Sequence, residues 1–493
     1  MDARLRALAD LSVPEVREYA GRHEYDGRLQ DLSPGSVARG VAALGGPALD
    51  EAHDEAHLVA FEQGARLQYG ELQQHRRDPG VHLSNLDLAC YDRAYAPQAE
   101  RDEVRRRHLQ GWPDAVDAAL EALDRVPRDV ALGLLSSVVG LADGVHDPGA
   151  LAAHARLVAH VEHAAEHGDP DPALGDEALR RLMGVPEALE VDLDDLAAQA
   201  DRERARLLDL LADACERIAP GRPVAQVRTE LEADHPAASE VLDEARALTE
   251  QVLAWTARTG LVPHSDGECL VGPAPASRAS SLASLSWSAP GEPDGPSWYY
   301  VTPPDPAWPA DEQEQWLAAF NRASLVAVTL HEVAPGHYSH GRALRRLSSP
   351  VRSLLFSPSF VEGWAHYGEE MALDEGFGDG DPRVQAGVAV EALVRVTRLA
   401  CAIGVHRRTM TVEQAAQLFT DDAGLQGPAA LSEARRATWD PTYGRYTWGK
   451  LAIQRLRDLA TARPGATLAG FHRDLLALGC PPLGLLDAAL ADA

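Results

Sequence analysis

The sequence predicts a mainly helical protein with one small β-sheet beside a cleft, and three stretches of the chain predict it. Residues 1–270 are rich in Ala, Leu, Arg, Asp and Glu, with apolar residues recurring at i, i+3 and i+4, as in Val116 to Leu123 and Arg202 to Leu211. That period is the helical one. Residues 262–310 break it, being dense in Pro, Gly and Ser. They carry the short runs Ser286 to Ser288 and Trp298 to Val301, aromatic and β-branched enough to form strands. From Asp311 to the end the helical period returns.

Taken in order, the N-terminal helices are punctuated by Asp147-Pro148 and Asp169-Pro170, pairs that stop one helix or start the next. The acidic run from Glu190 to Asp195 reads as a solvated helix start, where carboxylates are favoured, and not as a metal site. His53, His57, His154, His160 and His163 lie on apolar helix faces and read as core histidines. A length of 493 residues would allow about three domains. No repeat of fixed period and no low-complexity linker divides the chain, however. Residues 1–270 are therefore expected to form one wall of a cleft and residues 271–493 the rest, in one continuous unit.

Charge narrows the partners. Lys+Arg number 46 against 75 Asp+Glu, a net charge of −29, whereas nucleic acids and anionic membranes demand basic patches. Neither is expected as a partner. Cys90, Cys215, Cys269, Cys401 and Cys480 are scattered without a CxxC pair and read as free thiols in a reducing compartment. The N-terminus, MDARLRALADLS, lacks the apolar core of a secretory signal, and no apolar run reaches the roughly 18 residues that span a bilayer. A cytoplasmic setting is expected.

The chemistry concentrates at HEVAPGH, residues 331–337, followed 25 residues later by EGWAHYGEE, Glu362 to Glu370. Two imidazoles and a carboxylate are the set a catalytic zinc uses while leaving a fourth position for water. A glutamate beside the first histidine is placed to take that water's proton. His331 and His337 are six apart, however, which on an unbroken helix is about 240° of rotation and points the rings apart. Pro335 and Gly336 lie between them and should kink, bulge or end the helix, re-aiming His337 towards His331. The apolar run Ala323 to Leu330 buries the helix that carries the first ligand.

Glu362, His366 and Glu369, at i, i+4 and i+7, share one helix face. Glu362 is the favoured third ligand, because the small Gly363 beside it permits close approach of a neighbouring helix. His366 is the alternative ligand, and Glu369 is placed to orient a ligating histidine from behind.

These residues carry a resemblance. The chain resembles the domain of unknown function 885, a large bacterial family whose architecture is mainly helical and zincin-like, of metallopeptidase type. The hallmark HExxPGH is matched by His331, Glu332, Pro335, Gly336 and His337, and EGWAxYxE by Glu362, Gly363, Trp364, Ala365, Tyr367 and Glu369. Arg398, Gly404 and His406 match a third patch, Tyr446, Gly449 and Lys450 a fourth, and Phe471 and His472 a fifth. The chain departs from the family at Tyr338 and His340, where relatives tend to carry His and Gln, and at Ala402, where they tend to carry Asp. The first departure suggests a changed substrate pocket, with Tyr338 among its residues.

The resemblance implies peptide hydrolysis at one Zn²⁺ held by His331, His337 and Glu362, although nitrogen and oxygen donors also suit Mn²⁺ or Co²⁺. Glu332 is the expected base. Tyr446 either donates to the oxyanion or packs at a helix start. His406 either does the same work or caps the turn before Thr411, where TVEQ has the form of a capping box. Arg398, Arg445 and Lys450 are candidates for binding a substrate carboxylate. Tyr299 and Tyr300 either line the cleft or pack behind it, where a strand edge beside the metal helix can pair with an extended peptide. The expected reaction is hydrolysis of an amide in a short peptide or amino-acid-derived molecule. A cyclising, amide-forming or eliminating reaction on a similar substrate is the alternative.

Overall fold

The computed structural model describes residues 1–263, 266–275 and 282–487. Helices follow the sequence period: the runs at Val116 and Arg202 fall in helices Gln98–Ala122 and Leu193–Ile218. Asp147 caps helix Pro148–His167, its Oδ1 accepting the Ala150 N–H at 2.9 Å. Asp192 does the same for Leu193–Ile218, accepting from Asp194 and Asp195 in an exposed acidic first turn. Both satisfy amides that a helix start leaves without partners. The reciprocal capping box at Thr411 and Gln414 opens helix Val412–Ala423.

The sheet has three strands, β1 (Cys269–Pro273), β2 (Ala283–Ser286) and β3 (Ser297–Val301), in the order β1-β3-β2. β1 runs parallel to β3 and β2 antiparallel to it. The strand expected at Ser286 to Ser288 lies three residues earlier. Trp287 turns its Nε1 to the Tyr19 carbonyl at 3.0 Å and the Ser288 N–H goes to Ser297 Oγ at 3.0 Å, so the chain has left the ladder there. β1, with one β-branched residue, gave little sequence signal.

Helix Pro382–His406 runs through the middle and packs against both Leu193–Ile218 and Arg322–Glu332. One apolar cluster joins Leu207, Leu211 and Cys215 to Ala389, Leu393 and Val396, so segments from before and after residue 270 share a core. Helices Pro358–Asp374 and Arg445–Thr461 meet backbone to backbone: a Cβ on Gly363 would stand 2.5 Å from Gly449 Cα, and one on Gly449 1.9 Å from the Ser359 carbonyl oxygen. Only glycine fits that crossing. It brings Glu362 and Tyr446 to one side. Among the described residues no helix is long and apolar enough to cross a membrane.

Candidate metal centre

Helix Arg322–Glu332 starts on an Asn321 cap, whose side chain accepts from Ser324 at 2.9 Å, and buries Leu325, Ala327, Leu330 and His331. It ends at Glu332, and a second helix, His337–Leu344, begins after Val333 to Gly336. A helix end, and not a kink, therefore re-aims His337. Gly336 packs so tightly that a Cβ would lie 1.8 Å from the His331 carbonyl oxygen. The turn is held from outside by Trp364, whose indole N–H donates to the Pro335 carbonyl at 3.0 Å. The two imidazoles end with ring centroids 4.7 Å apart and planes at 84°.

Glu362 reaches between them. Its Oε2 is 3.4 Å from His331 Nε2 and 3.4 Å from His337 Nε2, and one ligand atom from each of the three residues lies within 4.8 Å of the others. Atoms bound about 2.0–2.1 Å from a tetrahedral zinc stand about 3.3–3.4 Å apart. At that separation the contacts are long for hydrogen bonds, and Glu362 Oε2 is buried with no hydrogen-bond partner. An orphaned buried carboxylate oxygen facing two imidazole nitrogens is costly without a cation. The donor set thus fits a divalent ion.

Glu369, two turns along from Glu362, approaches from behind. His331 Nδ1–H donates to its Oε1 at 2.7 Å, which turns Nε2 towards Glu362. Arg395 binds the other oxygen at 3.0 Å. Burial and Arg395 lower the His331 pKa, but Glu362 and Glu369 outweigh them and push it up to about 9, a measure of how strongly the pocket favours positive charge. Burial opposes ionisation of Glu362 too, yet His331 and His337 hold its carboxyl well below the usual range. His366 does not join the ligand set. It is fully buried, neither ring nitrogen has a hydrogen-bond partner, and burial with the charge of Lys450 pushes its pKa down to about 4.

The cleft in front holds about 550 Å³ and is lined by His331, Glu332, His337, Glu362, Arg445 and Tyr446, by strand β2 with Trp287, and by Glu18, Tyr19 and Arg93. Tyr446 lies beside the centre, its ring 6.2 Å from that of His331. Burial and the charge of Glu362 raise its phenol pKa, so it is a donor at neutral pH. Arg445 lines the cleft but is held by both oxygens of Asp440 at 2.7 and 2.8 Å.

Several residues expected at the substrate lie elsewhere. Arg398 is bound to Glu433 at 2.8 and 2.7 Å, its guanidinium 5.2 Å over the Tyr446 ring, so it backs the tyrosine and does not face the cleft. Lys450 is fully buried between Glu203, at 2.5 Å, and Glu370. Tyr299 packs beneath the motif helix with its hydroxyl 3.3 Å from Thr329, and the Tyr338 hydroxyl donates to the Asp266 carbonyl at 2.8 Å. His340 contacts Cys480, and Ala402 sits in a separate apolar cluster, so none of the three departures reshapes the cleft lining. His406 binds the Ala437 carbonyl at 2.8 Å and the Leu174 N–H at 3.1 Å with its two nitrogens. It lies eleven residues, about 16 Å of helix, beyond Arg395. It stitches loops together and is remote from the oxyanion position.

Sequence reasoning passed over Arg395, which shares a helix face with Arg398 three residues on, and Trp364, which its motif contained without a role. Nothing local marks Glu18, Tyr19 or Arg93. Only folding brings them to the cleft.

Fold and site together define a mainly helical protein built around a buried His-His-Glu cluster at the back of a cleft. The chain belongs to the bacterial protein family of unknown function DUF885, which matches residues 141–490. It is similar in structure to a candidate lipoprotein of unknown function from Shewanella oneidensis, with a TM-score of 0.76 and 20% identity over 98% of each chain. A candidate lipoprotein from Colwellia psychrerythraea gives 0.76 at 16% identity, over 99% of this chain and 97% of that one. No curated protein matches the chain.

Proposed function

We propose that this protein is a zincin-like, zinc-dependent hydrolase that cleaves an amide bond in a short peptide or amino-acid-derived molecule. The observation that carries the reading is Glu362 Oε2 standing 3.4 Å, a tetrahedral-edge spacing, from both His331 Nε2 and His337 Nε2, with Glu332 lining the same cleft. Bound there, a zinc ion supplies Lewis acidity, drawing the pKa of water down towards about 7 and polarising a carbonyl. Glu332 takes the proton of the attacking water and returns it to the leaving nitrogen. Tyr446 donates to the carbonyl oxygen as it gains charge. His331 Nε2 and His337 Nε2 would hold the ion, the first ring fixed by Glu369.

The cleft walls support an extended substrate. The Thr302 N–H bonds the Leu282 carbonyl at 2.9 Å, so in the antiparallel alternation Leu282, Ser284 and Ser286 face β3 and the backbone groups of Ala283 and Leu285 point outward. β2 is the sheet edge and lines the cleft, so those groups can pair with a peptide backbone. A volume near 550 Å³ suits a small ligand. Five unpaired thiols support a reducing compartment. A panel of dipeptides and amino-acid amides, offered to folded, zinc-loaded protein, tests the reading. Hydrolysis lost in Glu332→Gln is the expected result; no hydrolysis by the wild type overturns it in favour of a non-hydrolytic reaction.

A further inference from the structure

Glu369 is completely buried, and each of its oxygens has one strong partner: His331 Nδ1 at 2.7 Å on Oε1 and Arg395 Nη1 at 3.0 Å on Oε2. His366 Nδ1 stands 3.5 Å from Oε1, too far to fix the carboxylate. Arg395 comes from helix Pro382–His406, which carries none of the candidate ligands, and is itself only 6% exposed. Its other acidic neighbour is Glu391, one turn earlier at 3.8 Å. It is not among the residues lining the cleft, so it has no route to a substrate.

A carboxylate behind an imidazole sets both the tautomer and the ring angle, but only if the carboxylate itself is held. Glutamate has three rotatable bonds, and one hydrogen bond to a ring that can also turn does not fix it. A second charged hydrogen bond on the other oxygen, from the buried Arg395 Nη1, removes that freedom.

We propose that Arg395 is a positioning residue of the metal centre: by fixing Glu369 it fixes the His331 ring with Nε2 towards Glu362 and His337. The inference rests on the metal reading above. Its signature is an effect on metal affinity that travels through Glu369 and vanishes when Glu369 is replaced. An arginine that only balances a buried charge would change stability and leave zinc affinity alone.

The experiment is zinc affinity by competition with a chromophoric chelator, with thermal melts of metal-free protein alongside, for wild type, R395M, R395K, E369Q and E369Q/R395M. R395M is expected to raise the zinc Kd about 10–100-fold. R395K recovers part of that loss, since an ammonium can also donate a single charged hydrogen bond to Glu369 Oε2. In the E369Q background the further change to Met shifts Kd by less than about twofold, the mark of two residues acting as one. Should R395M not fold, R395K and the double variant, in which both charges are gone, carry the comparison. Wild-type affinity in R395K and R395M, or an equal loss with and without Glu369, overturns the proposal. If the wild type itself takes up no zinc, the metal reading fails and this inference with it.

Discussion

Gly449→Ala is the substitution for which helix propensity and tertiary packing predict opposite signs. Gly449 lies inside helix Arg445–Thr461, where alanine is favoured over glycine by about 1 kcal/mol. Propensity alone makes the variant more stable. The new methyl, however, would stand 1.9 Å from the Ser359 carbonyl oxygen and 2.8 Å from Gly363 Cα. Since a carbon and a carbonyl oxygen approach comfortably to about 3.3 Å, the two helices must part by roughly 1.4 Å at that point. Backbone meets backbone, so no rotamer change relieves it. Overpacking of this kind costs about 1–3 kcal/mol, and at the upper end the net loss is about 2 kcal/mol after the propensity gain. One of the separated helices carries Glu362 and the other Tyr446, and metal-ligand distances tolerate only about 0.2 Å. Turnover should therefore fall along with stability. Thermal and denaturant unfolding of metal-free G449A beside wild type measures the first effect, and hydrolysis of the best substrate the second. A variant that melts above the wild-type temperature refutes the crossing geometry.

The remaining predictions concern roles within the site and outside it. Glu332→Gln should keep stoichiometric zinc by elemental analysis and lose about 10²–10⁴-fold in turnover, whereas His331→Ala and His337→Ala should lose the metal itself. Tyr446→Phe should lower kcat by about 10²–10³-fold with little change in KM if its phenol serves the oxyanion; an unchanged kcat assigns it to packing. His406→Ala should leave zinc content untouched and lower the melting temperature, because its ring joins the backbones of Leu174 and Ala437. Acid should destabilise the fold: burial holds His406 and His472 down at about 4, so between 6.5 and about 4 the unfolded chain binds protons that the folded one refuses. Stability then rises with pH across that window, and a flat melting temperature from pH 4 to 6.5 would contradict it.

The sequence was most legible where a residue's role is local. Asp147, Asp192 and Thr411 announce helix starts because a short polar side chain satisfies nearby amides, and each caps the helix it precedes. It was least legible where a role depends on what another element brings. Tyr338, Tyr299 and Lys450 carry polar groups suited to a substrate, but partners at Asp266, Thr329 and Glu203 claim them. Arg395 carried no local signal, and its role comes from Glu369 on another helix.

By itself, the sequence determined the helical class, through its 3.6-residue period, and the donor set, through residue types that bind cations and a Pro-Gly pair that cannot continue a helix. Tertiary structure brought the Glu362 face of Pro358–Asp374 to the imidazoles, as the sequence favoured over His366, and it alone decided that residues 18, 19 and 93 line the cleft. Propensity and capping act over a few residues, whereas the candidate metal centre depends on the crossing of helices far apart in the chain, which the packing of glycines and buried charges fixes.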